Sequence, residues 1–221
     1  MSNQLIDPFG REVNYLRVSV TDRCDFRCTY CMSENMTFLP KKDILSLEEL
    51  ETICNVFIEL GTKKIRLTGG EPLVRKGILN LIKNLGKKIG NGLEELTLTT
   101  NGSQLQKYAE FLKENGVNRV NVSLDHLDPS KFREITRWGN LDLVLAGIQK
   151  AKSVGIKIKI NTVALKDFNE KNIIEMIEWC SLNEYDMTLI EVMPMGDIGS
   201  ENRFNQYLSL IHISEPTRRL N

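Results

Sequence analysis

Regular alternation of strand-like and helix-like segments predicts an α/β fold, a partial TIM-type (β/α)6 barrel. Three observations carry this. Six βα-type units follow one another with no obvious linker, the pattern of a parallel sheet with helical crossovers. The strands alternate apolar and polar residues, whereas parallel strands covered on both faces read as apolar runs. Polar groups also gather at the strand C-termini, the end at which α/β barrels hold their sites. The apolar parity must meet amphipathic helices, so the polar parity faces water or a polar ligand. An open α+β sheet with one wet face is the alternative; repeated right-handed crossovers favour the curled form.

The first strand, Asn14–Val20, sets Val18 and Val20 against Arg17 and Ser19. Ser46 opens the first helix with a capping box completed by Glu49; Leu47, Leu50, Ile53, Phe57 and Leu60 recur at helical spacing until Gly61. The second strand, Lys63–Thr68, alternates Ile65 and Leu67 with Arg66 and Thr68 and runs into Gly69-Gly70-Glu71-Pro72. Helix two carries Ile78, Leu81, Ile82, Leu85 and Ile89 before a turn at Asn91-Gly92. Strand three is Leu93–Thr99, and helix three is expected from a Ser103 cap, with Gln106 as box partner, to Gly116. Strand four, Asn118–Leu124, is followed by a short helix that Asp128-Pro129 starts. After a break at Trp138-Gly139 come helix Leu141–Ser153, strand Ile156–Val163, helix Glu170–Leu182 and strand Met187–Met193. Trp138 and Trp179 read as packing residues, His126 as a local hydrogen-bonder, and Cys54 as a buried thiol on the apolar side of helix one.

Lys plus Arg and Asp plus Glu are 29 each, so no global field recruits nucleic acid or a membrane surface; attraction for an anion must be local. Nothing approaches the roughly 20-residue apolar run of a membrane span. The opening residues lack the apolar core of a signal peptide. Five cysteines, three of them in one motif, do not form a disulfide framework and place the chain in a reducing cytoplasm.

That motif is Cys24-Asp25-Phe26-Arg27-Cys28-Thr29-Tyr30-Cys31, spaced C-x3-C-x2-C directly after the first strand. Three thiolates on one loop make a soft site suited to zinc or to an iron–sulfur cluster. A structural zinc site closes with a fourth ligand, for which His126 is the remote candidate. A cluster with three protein thiolates keeps one iron open. The Gly-Gly-Glu-Pro turn adds backbone able to approach a ligand closely and a carboxylate suited to an ammonium. Arg17, Arg66 and Lys159 all fall on the polar parity, and burying three cations in a neutral protein points to a bound polyanion.

The cysteine spacing, with an aromatic before its last member, resembles the radical S-adenosylmethionine (SAM) enzymes. DPFGR, LRVSVTDRCDFRCTYCM, IRLTGGEPLVR, LTTNG, NVSLD and IEVMPMG together resemble the GTP 3′,8-cyclase family within them, over about residues 5–208. The resemblance implies that Cys24, Cys28 and Cys31 hold a catalytic [4Fe-4S] cluster whose open iron binds SAM. It implies SAM contacts at Tyr30, Gly70, Ser123 and Met193, with the Glu71 acid near the SAM amino group. It implies GTP contacts at Arg17, Arg66, Thr99 and Lys159, and an electron donor of flavodoxin or ferredoxin type. The reaction implied is a lyase step of molybdenum cofactor biosynthesis: a 5′-deoxyadenosyl radical takes hydrogen from C3′ of GTP, and the ribose carbon closes onto guanine C8. Family members also carry a second three-cysteine cluster site and a Gly-Gly C-terminus, neither of which occurs in these 221 residues. The run Leu210–Asn221 departs from the family, so residues 209–221 are expected to be an unstructured or non-native tail. A peptide-modifying radical SAM maturase and a non-enzymatic zinc-binding domain are the competing readings.

Overall fold

Six parallel strands form in the places that the alternation marks. The structure, a computed structural model, describes residues 5–192. The strands are β1 (Tyr15–Ser19), β2 (Lys64–Thr68), β3 (Glu95–Thr100), β4 (Val117–Ser123), β5 (Lys157–Ala164) and β6 (Asp186–Glu191). They are ordered β1-β2-β3-β4-β5-β6 in one sheet. Sequential order with helical crossovers is the topology of an incomplete (β/α)6 barrel. The crossovers are α1 (Leu47–Glu59), α2 (Ile78–Gly86), α3 (Leu105–Glu114), α4 (Pro129–Thr136), α5 (Leu141–Ser153) and α6 (Ile173–Leu182). Among the described residues no helix is long and apolar enough to cross a membrane.

The chain divides into two compact units. The first comprises Met1–Asp25, Thr37–Val122 and Leu143–Ile158; the second comprises Phe26–Met36, Ser123–Asp142 and Lys159–Asn221. In the first, the apolar parity is sealed: Ile65, Leu67, Leu98, Val120 and Val122 are wholly buried, as are Ile82 and Leu85 of α2 and Ala109 and Leu112 of α3. Ser46 makes the expected capping box with Glu49, 3.1 Å from its hydroxyl to the Glu49 amide and 2.7 Å back. In the second unit Ile135, Leu165 and Val192 form a small core.

Several sequence expectations are corrected. The α3 helix begins at Leu105 with Gln104 at its cap and no side-chain cap, because the Ser103 hydroxyl donates to Asp25 Oδ2 at 2.6 Å. The α2 helix stops at Gly86, and Ile89 instead bridges to Leu93. Residues Glu170–Asn172 form a 3-10 turn, and α6 proper starts at Ile173. Trp138 is not a packing residue: it is 49% exposed, with the Arg27 guanidinium 4.5 Å above its ring. Trp179 does pack, edge-on against Tyr185 at 5.2 Å. The last part of the sixth expected strand, Met193 and the tail 209–221 lie outside the described residues.

Candidate active site

The polar parity of β1–β4 builds cross-strand rows in the first unit. Arg17 of β1 lies opposite Arg66 of β2, and Arg66 opposite Thr97 of β3. Thr97 in turn lies opposite Arg119 of β4, and Thr99 opposite Asn121. Arg17 is exposed, Arg66 and Thr99 are half-buried, and Thr97 and Asn121 are 1% and 2% exposed. Arg66 Nε, Thr99 Oγ1, Arg119 Nε and Asn121 Oδ1 are all buried atoms with no hydrogen-bond partner among the described residues. Native interiors leave few such atoms, and each calls for a physical reason. Burial pulls the Arg66 guanidinium down from its usual range, and the neighbouring charges of Arg119 and Arg17 add to that. A surface that concentrates cations and unpaired polar atoms is suited to a polyanion with many acceptors.

Above these rows the strand ends knit the start of the cysteine loop. The Gly70 amide donates to the Thr21 carbonyl at 2.7 Å, and the Glu71 amide to the Arg23 carbonyl at 2.8 Å. The two chains lie so close that a Cβ on Gly69 would strike the Thr21 carbonyl, and one on Gly70 the Arg23 carbonyl. Gly69 also has a φ of +149°, which L side chains rarely adopt. The glycines therefore serve the seating of the loop itself. Arg75 reinforces that seat through its guanidinium, which donates to the carbonyls of Val20 and Leu45. Asp25 accepts from Asn101 Nδ2 and from Ser103 Oγ, both at 2.6 Å, and Asn101 Nδ2 stands 3.7 Å from Cys24 Sγ.

Glu71 departs from the role that the resemblance implies for it. Its carboxylate is 0% exposed and accepts from the Leu73 amide (2.9 Å), Thr100 Oγ1 (2.9 Å) and the Asn101 amide (2.6 Å). Burial pushes its pKa up to about 7 despite those donors. As folded, this acid ties β2 to the end of β3 rather than reaching outward.

The rest of the cysteine loop belongs to the second unit. Arg27 N donates to the Thr136 carbonyl at 3.0 Å and Thr29 N to the Ile135 carbonyl at 2.9 Å, which lays the loop along the C-terminal end of α4. Cys28 accepts the Cys31 and Met32 amides at 2.9 and 3.1 Å, forming a tight turn. Arg137 grips both sides of that turn, donating to the Arg27 carbonyl at 2.9 Å and the Met32 carbonyl at 3.2 Å. Tyr30 donates to Asp125 Oδ2 at 2.7 Å, while Asp125 Oδ1 accepts from Val163 N at 2.8 Å. Burial raises the Asp125 pKa to about 6, and burial, then the Asp125 charge, raises that of Tyr30 well above its ordinary value. Ser123 and Lys159 are half-buried in this unit. His126 Nδ1 accepts the Asp128 amide at 2.9 Å, the local role expected of it.

All five cysteines lie within the described residues and none is in a disulfide. Cys24 and Cys28 are half-buried and Cys31 is exposed. Burial pushes the Cys54 and Cys180 thiols up to about 11, so these two stay protonated. Among the described residues no three His, Cys, Asp or Glu side chains are already gathered into a metal-holding group. The donor set nevertheless fits a cluster: three reduced, accessible cysteines on one loop, with the chain's other two sealed away as thiols.

A model of the radical SAM superfamily matches residues 18–180. The chain belongs to the radical SAM superfamily. A [4Fe-4S] cluster and SAM are the cofactors that this membership brings. The chain is 64% identical over 206 residues to a GTP 3′,8-cyclase of Rhizobium etli, covering 93% of this chain and 59% of the relative. It is 63% identical over 210 residues to the GTP 3′,8-cyclase of Brucella ovis, covering 95% and 61%. With that of Paracoccus denitrificans it is 58% identical over 206 residues, covering 93% and 60%. The chain thus spans about three-fifths of the length of these relatives. Streptococcus suis SuiB bound to S-adenosylmethionine superposes with a TM-score of 0.75 at 22% identity, over 91% of this chain and 45% of that one. Methylornithine synthase does so with a TM-score of 0.69 at 18% identity, over 90% and 59%. These two likenesses show a shared fold.

Proposed function

We propose that this chain is the catalytic core of a GTP 3′,8-cyclase, a lyase of molybdenum cofactor biosynthesis. The observation that carries this is identity of 58–64% to relatives of that name over 93% or more of the chain. The cationic rows with their unpaired buried atoms support it, since they suit a triphosphate. The superfamily's cluster would be held by the thiolates of Cys24, Cys28 and Cys31, and SAM by Tyr30, Gly70 and Ser123, with Met193 as the further contact. Cluster and SAM together supply a 5′-deoxyadenosyl radical able to take a hydrogen atom. An external donor of flavodoxin or ferredoxin type delivers the electron, and a reducing cytoplasm keeps the thiols available.

The chain's own residues do the binding and orienting. Arg17, Arg66 and Lys159 neutralise the triphosphate, and Thr99 adds a hydroxyl whose oxygen is otherwise unpaired. The Gly-Gly-Glu turn fixes the start of the cysteine loop against β3, and Tyr30 fixes its end through Asp125. Positioning of this kind matters because misplacing reacting atoms by about 1 Å can cost 10²-fold in rate. The test is anaerobic reconstitution with iron and sulfide, then dithionite, SAM and GTP. The expected result is 5′-deoxyadenosine whose formation responds to GTP, together with calorimetric GTP binding. An iron–sulfur chromophore that cleaves SAM while ignoring GTP in both measurements would overturn the cyclase reading.

A further inference from the structure

Resting on that reading, we propose that Arg119 is a third triphosphate-binding arginine, set into the substrate row by a β-bulge. The register between β3 and β4 shifts at one point: Leu96 pairs with Val117, but Thr97 pairs with Arg119. Asn118 is the extra residue. Because side chains alternate along a strand, an unbroken register would set Asn118 opposite Thr97 and turn Arg119 to the helix-covered face. The bulge reverses this. Arg119 joins the row of Arg17, Arg66 and Thr97, while Asn118 is exposed and accepts Lys113 Nζ at 2.8 Å. Bulges are a known means of re-aiming one side chain beside a site. This one is fixed by Thr97, whose hydroxyl donates to the Arg119 carbonyl at 2.8 Å.

Row geometry brings the three guanidinium groups within reach of one ligand. Neighbouring strands lie about 4.8 Å apart, so Arg17 and Arg66 are adjacent and Arg119 stands about 10 Å from Arg66 across Thr97. Like charges set on one row repel. Glu95 pairs directly with Arg119, 2.8 Å from its terminal nitrogen, shares itself with Lys64 at 3.8 Å, and reaches Arg66 only through a weaker charge attraction. It holds Arg119 by that nitrogen and leaves Nε buried without a partner among the described residues, as Arg66 Nε also is. A polyphosphate supplies both the missing acceptors and the missing negative charge.

The competing role for Arg119 is purely structural, as partner of Glu95, and one experiment separates the two. Inorganic tripolyphosphate, GTP and SAM are titrated calorimetrically into the anaerobically reconstituted protein and its Arg119→Gln, Arg66→Gln and Glu95→Gln variants. Arg119→Gln is expected to weaken tripolyphosphate and GTP roughly 10- to 100-fold, the loss of a charged hydrogen bond, with SAM affinity unchanged. Glu95→Gln, which releases Arg119, is expected to hold or tighten polyphosphate binding. Full polyphosphate affinity in Arg119→Gln beside a loss in Arg66→Gln would overturn the proposal and leave the GTP reading intact. Equal weakening of SAM and polyphosphate in Arg119→Gln would assign it the structural role. A parent protein that binds neither tripolyphosphate nor GTP would overturn both readings.

Discussion

The two ends of the cysteine loop are held by different physics. Up to Asp25 the chain is seated on the ends of β2 and β3: glycine turn against backbone, Asp25 against Asn101 and Ser103, and a buried Glu71 tying the two strands together. From Phe26 onward it is laid along one helix end, gripped by the Arg137 guanidinium and tied through Tyr30 to Asp125, with Cys31 exposed. A seat made of close-packed backbone and buried polar groups resists local opening, whereas a half-exposed clamp opens at low cost. Breaking each end in turn shows whether the first is a fixed base and the second the part that adjusts.

The largest expected effect ignores the distinction. Cys24→Ala, Cys28→Ala and Cys31→Ala should each abolish the iron–sulfur chromophore of the reconstituted protein, and Cys54→Ala should leave it. Retention of the chromophore in any of the first three, or its loss with Cys54→Ala, would refute the three-thiolate assignment.

Next in size is Gly70→Ala, which attacks the seat. The new methyl would meet the carbonyls of Arg23 and Asp22, both backbone, so the loop rather than a side chain must move. Overpacking of this kind costs about 1–3 kcal/mol. A fall of that size in urea-unfolding free energy, with slower cluster uptake, is expected; unchanged stability would show that the loop is not seated there.

Glu71 sharpens the same point through pH. Its pKa is raised in the folded state to about 7 from an ordinary 4.5, so its proton is bound more tightly folded than unfolded. The group's contribution is therefore fully present below about pH 4.5 and lost as pH climbs through 7. The difference of 2.5 units corresponds to about 3 kcal/mol, an upper figure for so buried a group. Urea unfolding at pH 5 and pH 7.5 should show stability falling with pH, and Glu71→Gln should flatten that slope. An unaltered slope in the variant would place the titration elsewhere.

The same contrast decides what was legible in the sequence. The seat is built from local signals: strand alternation, the Gly-Gly-Glu turn after β2, Thr99-Thr100-Asn101 after β3. Strand positions agree within a residue or two, and the Ser46 and Asp128 caps form as written. What escaped depends on partners far along the chain. Ser103 loses its cap because Asp25, distant in sequence, takes its hydroxyl. Glu71 is sealed by Thr100 and Asn101, which only the β2–β3 pairing brings close. Arg119 enters the row through a register shift, a property of two strands and not of one. For Arg119 a faint signal existed, since it continues the parity of Asn121 and Ser123. Arg137 had none.

Arg137 is the test of the clamp, and its effect on stability should be the smallest. Its φ is +61°, ψ is −49°, and Trp138 N donates to the Thr136 carbonyl at 2.8 Å, two residues back. That is a γ-turn of the rare, strained kind, held at a non-glycine residue. Such conformations cost of order 1–3 kcal/mol, and they persist where surrounding contacts over-determine them. Here those contacts are the two carbonyls of the loop, Arg27 and Met32, worth about 1.5–3 kcal/mol each for a charged donor if fully formed. Both are only part-buried, which reduces the gain. Arg137→Gly relieves the backbone and deletes the clamp together, so the two terms offset to within about 1 kcal/mol in unfolding free energy. The loop from Cys28 to Cys31 should still loosen, seen as faster amide exchange from Arg27 to Met32 and quicker loss of the chromophore to a chelator. Arg137→Ala keeps the strain without the clamp and should be the less stable of the pair. If Arg137→Gly left exchange and chelator resistance unchanged, the backbone pairing with α4 and the Tyr30–Asp125 bond would hold this end of the loop without it, and the contrast with the seat would disappear.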